Sequence, residues 1–223
     1  MSNHNITVNA IDKVTHDVLR FTTNKPAGFV FEPGQAANIA INKSGWRKEE
    51  RPFTFTNLPE KDFLEFTIKT YPAQEGVTNE LLDLKVDDEL VLHDVFGAIT
   101  YQGPGVFIAG GAGVTPFISI FRDLKAKNEI GKNMLVFANK TKADIILEKE
   151  FKTLLGDAFV NILSDEHIDG YHYGRITEAF LKEMVTDFNQ QFYLCGPPPM
   201  IKEVEAQLVH LGVDKKNITK EIF

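Results

Sequence analysis

Two short stretches carry residue types suited to holding a ligand rather than filling a core. Arg51-Pro52-Phe53-Thr54-Phe55-Thr56-Asn57 alternates aromatic and hydroxyl side chains behind an arginine. Such period-2 patterning predicts a strand. A strand that only packed a core would need neither the guanidinium at its start nor hydroxyls along one face. Further on, Ile108-Ala109-Gly110-Gly111-Ala112-Gly113-Val114-Thr115-Pro116 leads an apolar run into three glycines, a threonine and a proline. Glycines before a helix let backbone N–H groups and the helix N-terminus approach a pyrophosphate. Gly111, Gly113 and Thr115 are therefore candidate phosphate contacts, with Thr115 expected as N-cap and Pro116 as first helical residue. The alternative is a tight strand–helix turn. Pro116 stands where the usual dinucleotide fingerprint has its third glycine. Asn139-Lys140-Thr141, without an acid, follow the second strand, which also departs from the ordinary NAD pattern.

Two further motifs admit two readings each. Leu194-Cys195-Gly196-Pro197-Pro198-Pro199-Met200 follows another apolar run, and ligands of open parallel sheets sit at the carboxyl ends of strands. Cys195 and Gly196 should then share an edge with Gly111–Thr115, the prolines forming a rigid lip rather than a helix. Cys195 could equally be a buried small apolar residue. Gly76-Val77-Thr78-Asn79 opens a helix with free amides and a hydroxyl, which suits a second anion site or ordinary capping.

These motifs need elements to position them, and the chain supplies two grammars. Up to residue 101 it reads mainly as strands: 6–14, 18–23, 36–41, 53–56, 63–71 and 89–93, with one helix over 77–84. Many short strands at this spacing predict a closed antiparallel barrel. Beyond Tyr101-Gln102-Gly103-Pro104-Gly105, apolar runs at 105–111, 134–138, 159–163 and 191–195 alternate with helical patterns at 116–125, 146–155, 176–185 and 200–211, and a last strand closes the chain. That alternation predicts an α/β layer around a parallel sheet. Residues 1–101 and 102–223 are the expected domains.

The bulk composition excludes several function classes. A net charge of −7 without a basic block argues against nucleic acid or an anionic membrane as partner. No apolar run approaches the roughly 20 residues that span a bilayer. The N-terminal residues show no signal-peptide pattern, so a soluble cytoplasmic protein is expected. One cysteine excludes a cysteine-ligated iron–sulfur cluster within these residues, and the six histidines show no metal-ligand spacing, so no metal is expected.

Taken in order, Arg51-Pro52-Phe53-Thr54, Gly76-Val77-Thr78-Asn79, Phe96-Gly97, Gly110–Pro116 and Cys195–Met200 resemble the ferredoxin–NADP reductase superfamily across essentially the whole chain. The resemblance implies a flavin-binding barrel followed by an NAD(P)-binding domain. It implies that Arg51 holds flavin phosphate, Phe53 stacks on the flavin and Thr54 bonds near its reactive nitrogen. A tyrosine is usual where Phe53 stands, so stacking survives and a phenol hydrogen bond is lost. Pro52, Gly76, Val77, Thr78 and Asn79 fall in the flavin motifs; Lys69 and Tyr71 are further candidates for phosphate and adenine. Gly111, Gly113, Thr115, Gly196 and Pro197 fall in the coenzyme motifs. Cys195 and Glu221 are expected to line a nicotinamide pocket with Thr54, and Phe223 to shield the flavin face. The implied activity is FAD-dependent NAD(P)H reduction of a separate carrier such as ferredoxin or flavodoxin, or of a small acceptor. Gly76–Asn79 favour FAD over FMN, while Lys140, with Lys142 beside it, favours NADPH over NADH. Alternatives are an NADH-dependent reductase component of an oxygenase, a cytochrome b5 reductase-like enzyme, and a non-catalytic flavoprotein subunit of an electron-transfer complex.

Overall fold

A computed structural model describes residues 3–71 and 75–222. The first half holds strands β1 (His4–Lys13), β2 (Val18–Asn24), β3 (Ala36–Ile41), β4 (Arg51–Thr54) and β5 (Phe63–Lys69). A short helix α1 (Val77–Glu80) and strand β6 (Glu89–Phe96) complete it. The strands pair antiparallel in the order β4-β3-β6-β1-β2-β5. Just past β4, Phe55 bridges to Phe66 of β5, and the Thr56 amide donates to the Glu65 carbonyl at 2.8 Å. These contacts join the two edge strands, so the sheet closes into the expected barrel without a free edge. Its interior is filled by fully buried Ile6, Val8, Phe21, Phe55, Leu64 and Phe66, each such side chain contributing about 1.5–3 kcal/mol of burial.

Residues 97–104 lead to the second layer, where strands β7 (Gly105–Gly110), β8 (Met134–Asn139), β9 (Phe159–Leu163), β10 (His172–Tyr173), β11 (Gln191–Gly196) and β12 (Ile218–Ile222) all run parallel. Helices α2 (Thr115–Ala126), α3 (Glu148–Leu155), α4 (Glu178–Met184) and α5 (Pro198–His210) connect them. The order is β10-β9-β8-β7-β11-β12. All of β7 is buried. Phe107 and Ala109 point to the cluster under α2 and α3, whereas Val106 and Ile108 point to the cluster under α4 and α5. A strand covered on both faces must be apolar throughout, which is why it reads as an uninterrupted run.

Three local expectations are corrected. Thr115 has helical dihedrals and is the first residue of α2 rather than its cap; a short 3-10 turn, Gly111–Val114, precedes it. Pro198 and Pro199 begin α5 instead of forming a non-helical lip; the first helical N–H groups have no intrahelical acceptor, so prolines cost nothing there. The two-residue strand β10 lies in a loop too polar to announce itself.

Candidate active site between the two sheets

Backbone approach explains the glycines of the second layer better than ligand contact alone. A Cβ on Gly113 would stand 2.2 Å from the Cys195 carbonyl oxygen, and one on Gly110 would stand 2.5 Å from the Met200 sulfur. These positions are glycine because the turn after β7 packs directly on the turn after β11. Gly111 differs. It has φ +51°, and nothing lies within 4 Å of where its Cβ would be, so its freedom serves the conformation and leaves space above it.

The same turns face the barrel. The hydroxyl oxygens of Thr54 and Thr115 are 3.3 Å apart, and both residues are nearly buried. Thr115 also donates to the Ala112 carbonyl at 3.0 Å. Within β11, Cys195 is flanked in register by Ala109 of β7 and Glu221 of β12. Thr54, Gly113, Thr115, Cys195 and Glu221 therefore gather along one seam. Glu221 is pushed above the usual carboxylate range by burial, although the backbone amides of Ala98 and Ile99 donate to it and pull it back. Burial, and then the neighbouring Glu221 charge, raise the Cys195 thiol well above its ordinary range. That thiol sits in the core cluster beside Phe107 and Tyr193, so it is a neutral, packed group rather than an anionic nucleophile.

Comparison with known proteins fits this arrangement. Residues 3–110 match the family described as an FAD-binding domain, and residues 107–206 match the oxidoreductase NAD-binding domain. The fold superposes on a Neisseria gonorrhoeae ferredoxin NADP+ reductase solved with FAD and NADP, with a TM-score of 0.86 and 17% identity, over 100% of this chain and 99% of that one. Residues 3–206 thus read as an FAD-binding domain followed by an oxidoreductase NAD-binding domain, on the fold of a ferredoxin NADP+ reductase. The chain is 33% identical over 229 residues to the reductase component of propane 2-monooxygenase from Mycolicibacterium smegmatis, covering 93% of this chain but only 63% of that protein. It is 29% identical to NADH-cytochrome b5 reductase 1 of Aspergillus oryzae, covering 92% and 77% respectively. Among the described residues, no helix is long and apolar enough to cross a membrane.

Two glycine turns leave open space of the kind that nucleotide phosphates need. Gly111 offers the open, positive-φ turn at the carboxyl end of β7, and Gly76, with nothing within 4 Å of a would-be Cβ, opens α1. Val77 is buried in the barrel core, and its neighbours Thr78 and Asn79 are half-buried. Arg51 and Pro52 are exposed; Arg51 donates to the Glu50 carbonyl at 2.7 Å. Phe53 is half-buried against the barrel, which leaves part of its ring uncovered. Pro197 is exposed beside buried Gly196. Lys140 is exposed at the end of β8. Phe223 lies outside the described residues.

Lys69 is the clearest departure from expectation. Its ammonium reaches Asp17 at 2.7 Å and Asp144, from the second layer, at 3.9 Å, with His16 at 3.7 Å from both carboxylates. A side chain so engaged is a tie between layers rather than a free phosphate ligand; Tyr71 is simply exposed. Lys142 is likewise occupied, 5.1 Å over the Tyr171 ring.

A second polar node centres on a residue outside every sequence motif. Arg122 of α2 forks onto Glu150 at 2.6 and 2.8 Å, and also donates to Glu65 of β5 at 2.6 Å and to the Thr56 carbonyl at 2.8 Å. Those carboxylates hold the guanidinium's pKa far above its ordinary value despite its burial. The sequence carries only a weak signal for it: Thr115, Ser119 and Arg122 repeat at intervals of four and three in a helix that also holds Asp123 and Lys125.

Proposed function

We propose that the chain is an FAD-dependent NAD(P)H reductase, with residues 1–101 as its flavin half and 102–223 as its coenzyme half. One observation carries this reading: the Thr54–Thr115 contact of 3.3 Å brings the flavin-motif strand against the coenzyme-motif helix. In this reading Arg51 binds flavin phosphate, Phe53 covers one ring face, and Gly76–Asn79 take the pyrophosphate. Gly111 and the N-terminus of α2 hold the coenzyme phosphates, and Thr54 with Glu221 orients the two rings. Lys140, exposed at the edge where a 2′-phosphate would lie, supports NADPH. When bound, the flavin supplies the chemistry, accepting a hydride and releasing electrons singly or in pairs. The protein's own contribution is to bring both rings face to face and to exclude water from between them.

The electrons are proposed to leave to a separate protein. The relatives include a reductase component of a monooxygenase, a ferredoxin–NAD(P)+ reductase component of a naphthalene dioxygenase system and a cytochrome b5 reductase, which supports an oxygenase component, a ferredoxin or cytochrome b5 as the acceptor. The test is the visible spectrum of the purified protein, reconstituted with FAD and then mixed anaerobically with NADH or NADPH. Flavin absorption that bleaches on mixing is expected. Failure to retain flavin, or no bleaching with either coenzyme, would overturn the reading. Turnover with added acceptors then separates the candidate partners.

A further inference from the structure

We propose that Arg122 is a positioning residue which sets the approach of the two nucleotide sites. The inference rests on the flavin–coenzyme reading but concerns a residue outside every motif. One face of α2 is fastened to the barrel along its length. At its first residue Thr115 meets Thr54; one turn on, the buried Ser119 hydroxyl accepts from the Gly34 amide at 2.9 Å; at Arg122 the guanidinium grips Glu65 and Thr56. Seven residues of helix separate the first fastening from the last by about 10 Å. A single hydroxyl contact at one end is a pivot, and a charged, multiply bonded contact a lever arm away prevents rotation about it.

The chemistry of the last fastening suits that role. The side chains of Arg122 and Glu65 are only 20% and 11% exposed, so the pair is shielded from water and salt. Thr56 lies two residues beyond Thr54, and its carbonyl is the acceptor. Its hydroxyl donates to the same Glu65 oxygen at 2.7 Å and stands 3.2 Å from that of Thr67. Arg122 thus holds the segment that carries Thr54, while Glu150 holds Arg122 from the other side. An open groove beside this node is lined by Asn57, Phe63, Lys125 and Leu154 among others.

The test pairs Arg122→Gln with Glu65→Gln, which removes the buried ion pair and leaves only Glu150, whose side chain is 32% exposed, without its cation. Hydrogen exchange at the Gly34 amide is followed in flavin-free protein, and the anaerobic rate of flavin reduction and the coenzyme KM are followed after FAD loading. Because displacement of about 1 Å can slow a reaction by up to about a hundredfold, the hydride step is expected to fall at least tenfold, with KM within about threefold of wild type. The Gly34 amide should exchange at least about tenfold faster. Arg122→Lys, which keeps the charge but not the fork, should fall between, and it carries the same readouts if the double variant does not fold. An unchanged hydride rate in a folded, flavin-loaded variant overturns the proposal, as does unchanged exchange at Gly34. A wild-type chain that takes up no flavin is a separate failure: it overturns the functional reading, and the claim about hydride transfer with it.

Discussion

Thr54 and Thr115, 61 residues apart in sequence, meet hydroxyl to hydroxyl at 3.3 Å. One is the last residue of a barrel strand, the other the first residue of a helix of the parallel layer. Their contact sets the strand that carries one motif against the helix that carries the other.

Thr54→Val keeps the β-branched shape that β4 needs and removes the hydroxyl. If that hydroxyl orients the flavin, one lost hydrogen bond of about 1–1.5 kcal/mol slows flavin reduction by about tenfold. Coenzyme KM should barely move. Stopped-flow bleaching under anaerobic conditions measures both; a rate equal to wild type would remove Thr54 from the reaction.

The two glycines of the turn after β7 should fail differently. In Gly113→Ala the new methyl would sit 2.2 Å from the Cys195 carbonyl oxygen, and such overpacking costs about 1–3 kcal/mol or more. Thermal or urea unfolding should record it. Gly111→Ala meets open space, so its left-handed backbone costs only about 1 kcal/mol. Its main effect should be on coenzyme affinity, which titration reports directly. Equal stability losses with equal affinity losses would contradict this division.

Lys140→Ala should raise the KM for NADPH by about fivefold while leaving that for NADH near wild type, since one exposed phosphate–lysine contact contributes about 1 kcal/mol. An equal change for both coenzymes would remove Lys140 from the 2′-phosphate.

Asp17 gives a pH prediction. Burial raises its pKa, but hydrogen bonds from Lys69 and Thr15 and the charges of Lys69 and His16 outweigh that, leaving the carboxyl below its ordinary value. A depressed acid contributes stability that is fully present above its unfolded pKa and disappears as pH falls through the folded one. Asp17→Asn should therefore be less stable than wild type by a constant margin from pH 7 down to about pH 5, and the margin should close below about pH 4. Urea denaturation across that range is the measurement. A margin that widens in acid would show the sign to be wrong.

Much of this protein is legible from the sequence because it depends on local periodicity. The alternation of Phe53–Thr56, the uninterrupted run of β7 and the glycines at 110, 111 and 113 each report a constraint that acts within a few residues. Together they specify a closed antiparallel barrel, then a parallel α/β layer. The order of motifs along the chain matches an FAD-binding domain followed by an NAD-binding one. Which side chains from distant segments share a charge is another matter. By sequence Lys69 is a candidate for phosphate, and the spacing of Thr115, Ser119 and Arg122 marks a helix face without naming what it meets. Only the packing of α2 against the barrel brings Glu65 within 2.6 Å of Arg122, and only the approach of the loop after β8 brings Asp144 near Lys69. Electrostatic partners are set by distance in space and by the loss of water around them, and neither quantity is written into the order of residues.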